Sequence, residues 1–102
     1  MRERRPKPRK RVLWSGKIVY VNGDFSIPCT IRDWSDIGAR IAIRGAPIIP
    51  KRFYLLNITT RTAHDALVAW SDGRQLGLTF ERSVSLDAIV DPQFEFLKRF
   101  LL

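Results

Sequence analysis

Two arginines, Arg5 and Arg9, stand four positions apart in the amino-terminal segment Arg5-Pro6-Lys7-Pro8-Arg9. A guanidinium is a planar fork. It pairs with two phosphate oxygens, grips O6 and N7 of guanine, or stacks on a base. On a fully extended chain the two forks sit roughly 13 Å apart, and a bend brings both onto one ligand. A second polar segment follows at Asp33-Trp34-Ser35-Asp36-Ile37-Gly38. At the end of a strand Asp33 and Ser35, two apart, share a face. A carboxylate accepts from the N1–H and amino group of a guanine, and a hydroxyl donates to phosphate or accepts from a base edge. Gly38 suits a positive φ or a close backbone approach. Each segment also has a plain reading. Any basic arm contains such an arginine pair by chance, and Asp and Ser cap ordinary turns. Together they offer what a small ligand with both phosphates and bases requires.

Other chemistry is poorly supplied. His64 is the one histidine, with no second ligand near it in sequence, whereas a metal site needs several. It reads as a surface or edge-strand residue. Ser35, His64 and an aspartate can be drawn as a triad, but no nucleophile elbow is present. Neither a Walker-type loop nor a dinucleotide fingerprint occurs. Cys29, the single cysteine, excludes an internal disulfide and reads as buried filler. The expectation is a protein that is not an enzyme and holds no metal or cofactor.

The charge is localised. Residues 1–11 hold seven Arg or Lys against one Glu, so +6 of the net +8 lies there and the body is nearly balanced. Such a local excess attracts phosphate, on nucleic acid or on a small ligand. At 102 residues the chain is expected to be one domain. No apolar run approaches the roughly 20 residues that span a membrane, and no apolar stretch follows the charged start as in a secretory signal. The expected location is cytoplasmic.

The elements that must position these groups read mostly as strands. Residues 1–10, with Pro6 and Pro8, form an extended basic tail. Val12, Trp14, Ile18 and Tyr20 mark a first strand, with Gly16 a candidate bulge. Asn22-Gly23-Asp24 is a hairpin turn, and Phe25 to Arg32 the return strand. Asp33 to Gly38 is a polar connection. Further strands follow over 39–44, 53–58, 63–70 and 75–80, with turns at 59–62 and 71–74. Short strands so spaced predict an antiparallel sandwich or small barrel over residues 11–102. Asp91-Pro92 reads as an N-cap and first helical position, and Phe94, Leu97 and Leu101 recur at helical spacing. That helix, at about 91–102, must pack on the barrel or on a partner.

The tail RRPKPRKRV followed by DWSDIGAR resembles the PilZ domain family, which is marked by RxxxR and then (D/N)xSxxG after the second strand. Leu67-Val68-Ala69-Trp70 and Leu76-Gly77-Leu78-Thr79-Phe80 resemble that family's final hairpin. The resemblance runs from about Arg4 to about Glu81. It implies an all-β fold, a six-stranded antiparallel barrel with a short carboxy-terminal helix. It also implies binding of the bacterial second messenger cyclic di-GMP. Carried over by position, Arg5 and Arg9 would grip phosphate and guanine, with Asp33, Ser35 and Gly38 as the barrel half of the site. Secondary contacts would come from Arg4, Lys7, Arg11 or Arg40. Departures fall at the variable positions Pro6 and Trp34; with Asp33 and Ser35 facing the ligand, alternation between them sends Trp34 into the core. The implied output is a tail that orders over the ligand and signals to a partner protein or a second copy. The rivals are a single-stranded nucleic-acid-binding barrel, disfavoured by the near-neutral body, and an interaction module that binds no nucleotide.

Overall fold

A computed structural model describes residues 9–20, 23–45, 47–88 and 91–101. Six strands form a closed antiparallel barrel: β1 (Lys10–Tyr20), β2 (Phe25–Ser35), β3 (Gly38–Ala42), β4 (Arg52–Asn57), β5 (Thr62–Ser71) and β6 (Gln75–Ser85). Their order around the wall is β1-β2-β3-β6-β5-β4, closing from β4 to β1. Closure leaves no open edge, so every strand finds hydrogen-bonding partners on both sides. The expected barrel is therefore the observed one.

The interior follows from period-two alternation. Ile18, Ile31, Ala39, Ile41, Phe53, Leu55, Ala66, Leu76 and Leu78 fill it, with Cys29 among them. Burial pushes the Cys29 thiol up to about 12, so it is an inert packing residue as expected. Gly16 stays in register and is no bulge; a Cβ there would press on Cys29 Sγ at 3.0 Å and on Ile31. Its hydrogen is what lets β1 pass close to those side chains.

A second cluster covers the outside of the wall. Val19, Leu56 and Ala63 face out, where Phe94, Leu97 and Leu86 bury them. This is why β1 and β4 carry consecutive apolar residues, Ile18-Val19 and Leu55-Leu56, one for each face. The covering element is α1 (Pro92–Glu95), a single turn, followed by a 3-10 helix over Phe96–Leu101. Asp91 caps it as expected, its carboxylate accepting from the Gln93 N–H at 2.9 Å. The expected α-helix is thus mostly 3-10. At three residues per turn Phe94, Leu97 and Phe100 stack in one line on the barrel. Lys17 Nζ donates to the Phe100 carbonyl at 3.1 Å, Gln93 Nε2 donates to the Tyr54 hydroxyl at 3.0 Å, and Arg82 bonds Asp91 and Gln93. The helix packs on its own barrel, the first of the two placements expected from its apolar residues.

The ends of β2 and β6 differ most from expectation. β2 runs through Ser35, so Asp33, Trp34 and Ser35 are strand residues and only Asp36-Ile37 connect the hairpin. β6 continues to Ser85 past the polar run Glu81-Arg82-Ser83. Its polar residues meet polar partners on β5, Asp65 opposite Arg82 and His64 opposite Ser83, so the apolar alternation fails there without the strand ending. Among the described residues no helix is long and apolar enough to cross a membrane.

Phe94 is fully buried beneath the carboxy-terminal turn. Phe94→Ala is expected to cost about 3–5 kcal/mol of stability, the usual range for emptying a fully buried aromatic site. Urea unfolding measures it, and a loss below about 1 kcal/mol would mean the helix does not cover the barrel in solution.

Candidate functional site

The geometry of the polar segment is set by an irregularity at Arg32. On the β3 side Ile31 pairs with Ile41 and Asp33 with Arg40, so Arg32 has no partner. On the β1 side Trp14 pairs with Ile31 and Arg11 with Asp33, so β1 also carries one extra residue there. A bulge of this kind shifts the alternation by one. Ile31 faces in, and strict alternation would send Asp33 and Ser35 in as well. The extra residue instead puts Asp33 on the outer face beside Arg40 and turns Trp34 inward beside Ala39.

The outer face then carries a row of direct cross-strand partners, Arg11, Asp33, Arg40, Gly77 and Trp70, running across β1, β2, β3, β6 and β5. Arg40 Nε donates to Asp33 Oδ2 at 2.7 Å and its Nη1 donates to Gln75 Oε1 at 2.5 Å. The Arg40 hydrogen bond and charge, with the charges of Arg9 and Arg11, hold the Asp33 carboxyl below its ordinary range. Trp70 lies over Gly77, where any side chain would collide with the indole, and 42% of Trp70 is exposed. The closure of the barrel therefore brings an exposed aromatic surface beside Arg40. Sequence reasoning noted Trp70 only as part of the last hairpin; the register between β3, β6 and β5 is what adds it to this row.

Ser35 and Gly38 serve the fold in this structure. The Ser35 hydroxyl accepts from the Ile37 N–H at 3.3 Å and donates to the Gly38 carbonyl at 3.4 Å. That is the ordinary cap anticipated as the plain reading of the turn. A Cβ at Gly38 would collide with the Leu78 carbonyl oxygen of β6, so glycine answers a close backbone approach and not a positive φ. Both residues hold Asp33 at the end of its strand. Arg9 and Ser35 line one cleft of about 560 Å³ with Lys10, Trp14, Trp34, Asp36 and Thr60. Arg4, Arg5 and Lys7 lie outside the described residues. A wider cleft of about 730 Å³, between residues 43–45 and 72–74, contains none of the residues predicted from sequence.

Below Trp34 lies a group the sequence reading misjudged. His64 is buried, not at the surface, because its strand position faces in. Its ring stacks on Phe80 at 4.4 Å and meets the edge of Trp34 at 4.9 Å. Its two nitrogens contact the hydroxyls of Thr62 at 2.8 Å and Ser83 at 2.7 Å. A neutral imidazole needs one donor and one acceptor, and two hydroxyls supply both. Among the described residues no cluster of three or more His, Cys, Asp or Glu is placed to hold a metal. No protein-family model matches the chain, and no curated protein matches it.

Burial pushes the His64 imidazole down to about 4 from its ordinary 6.5. The unfolded chain therefore takes up a proton first as pH falls. Stability is full above about pH 6.5 and declines from there towards pH 4. Between pH 7 and pH 5 the loss from this group is on the order of 2 kcal/mol. Urea unfolding at the two pH values measures it, and His64→Gln should remove most of the difference. An equal pH dependence in both proteins would exclude a buried neutral histidine.

Proposed function

We propose that this chain is a PilZ-type receptor for cyclic di-GMP, a binding protein and not a catalyst. The observation that carries the reading is the outer-face row: a carboxylate at Asp33, arginine forks at Arg11 and Arg40, and the exposed indole of Trp70 on neighbouring strands. These are the groups that a guanine edge, a phosphodiester and a base face respectively need.

In the free protein Asp33 and Arg40 satisfy each other. A partly exposed pair of this sort contributes on the order of 1 kcal/mol or less. A guanine that donates N1–H and its amino group to Asp33 releases the Arg40 fork. That fork then turns to O6 and N7 or to a phosphate oxygen, and each good bidentate contact is worth about 1–3 kcal/mol. The exchange therefore favours the ligand. Arg9, whose charge Asp33 already feels, closes on the phosphates, with Arg5 beyond it on the tail. Ser35 and Gly38 keep the Asp33 end of β2 in place. The signal is the changed shape and charge of this face, read by a downstream protein or by a second copy of the chain.

Titration calorimetry tests the reading. The protein should bind cyclic di-GMP in preference to GMP and GTP. Arg9→Ala should weaken binding by about 5- to 150-fold, the equivalent of one bidentate contact, with thermal stability unchanged. An Arg9→Ala protein of unaltered affinity would remove that arginine from the site. Absence of cyclic di-GMP binding by the wild-type chain would overturn the proposal. Sequence-tolerant oligonucleotide binding that collapses with salt would point to the nucleic-acid barrel instead.

A further inference from the structure

The cleft beside the outer-face row is floored by two indoles that the reading above leaves unused. Trp14 and Trp34 sit at the mouth of the barrel with ring centroids 5.7 Å apart and planes tilted by 59°. Their roles differ. Trp34 plugs the barrel end, packed against His64 and Phe80. Trp14, opposite Ile31 on the next strand, is half-buried. Its indole meets that of Trp34, and the Lys10 Nζ stands over the ring 5.4 Å from its centroid. Lys10 faces the mouth because it pairs with the inward Trp34. The cleft thus has an aromatic floor at Trp14, cations at Arg9 and Lys10 against the single carboxylate of Asp36, and hydroxyls at Ser35 and Thr60.

We propose that Trp14 is a base-stacking, specificity-determining residue: the barrel mouth is a subsite for a purine base whose phosphate is met by Lys10 and Arg9. The inference rests on the nucleotide-receptor reading and extends it to a second surface of the protein. In the free protein the Lys10 ammonium covers the π-face of Trp14. An entering base takes that face, since stacking suits any planar heterocycle. The displaced ammonium is already beside the base, where a phosphate linked to it would lie. The subsite therefore selects ligands that combine an aromatic ring with phosphate over phosphate alone. Cyclic di-GMP carries two bases, and the outer-face row with Trp70 accounts for one of them.

The test follows the Trp14 indole N–H by nitrogen-proton NMR, its signal identified by its absence in Trp14→Phe. Cyclic di-GMP should move that signal, and pyrophosphate at equal concentration should leave it in place. In calorimetry Trp14→Leu should weaken cyclic di-GMP binding at least about fivefold, while Trp14→Phe, which keeps a π-face, should stay close to wild type. The wild-type NMR titration stands whether or not the leucine variant folds. Cyclic di-GMP binding with an unmoved Trp14 signal, or with unchanged affinity in Trp14→Leu, overturns the subsite and leaves the receptor reading intact. A Trp14 signal that responds equally to pyrophosphate overturns the stacking role. Failure of the wild-type protein to bind cyclic di-GMP overturns both.

Discussion

A single extra residue, Arg32, decides which face of the barrel carries Asp33, the centre of the candidate site. Without it β2 would alternate unbroken from Ile31, and Asp33 and Ser35 would point into an apolar interior. An ionised carboxylate there would be far too costly to keep. With it Asp33 faces Arg40 and Arg11 on the outside, and Trp34 becomes the plug that closes the barrel end. The same slip in register thus sets the surface electrostatics and completes the core. Gly38 secures the arrangement from the other strand, since only a residue without a Cβ lets β3 approach the β6 carbonyl at Leu78.

Much of this was legible in the sequence. Alternating apolar residues, the turn at 71–74 and the Asp91-Pro92 start of the helix report local physics, and local physics is what a sequence displays. The bulge is different. It is a mismatch between strands, so nothing in Arg32 or its neighbours announces it. Asp33 and Ser35 were recognisable as two residues sharing a face, but which face is a tertiary property. The length of β6 was hidden for a related reason. Ser83 serves the buried His64, and Arg82 stands opposite Asp65, so polar residues occupy strand positions that only their partners explain.

The candidate site divides in the same way. Asp33, Arg9, Arg11 and Arg40 could be selected by residue type, and the structure brings them within one electrostatic field. Ser35 and Gly38 were also singled out, yet in the free protein both serve the turn and the strand packing. Trp70 joins the row only because the barrel closes with β6 between β3 and β5. Trp14 reaches the mouth only because β1 carries its own extra residue after Arg11. The aromatic half of the candidate surface is therefore a product of register and closure, while the charged half is written in the chain itself.

In the proposed mechanism Asp33 is an outward carboxylate, paired with Arg40 until a guanine replaces that partner. Carbon-detected NMR of the Asp33 carboxyl observes this directly. In the free protein the group should titrate below the ordinary aspartate range, and saturating cyclic di-GMP should shift its resonance while the Arg40 Nε–H signal moves with it. An Asp33 carboxyl that titrates normally when free and does not respond to cyclic di-GMP would contradict the account.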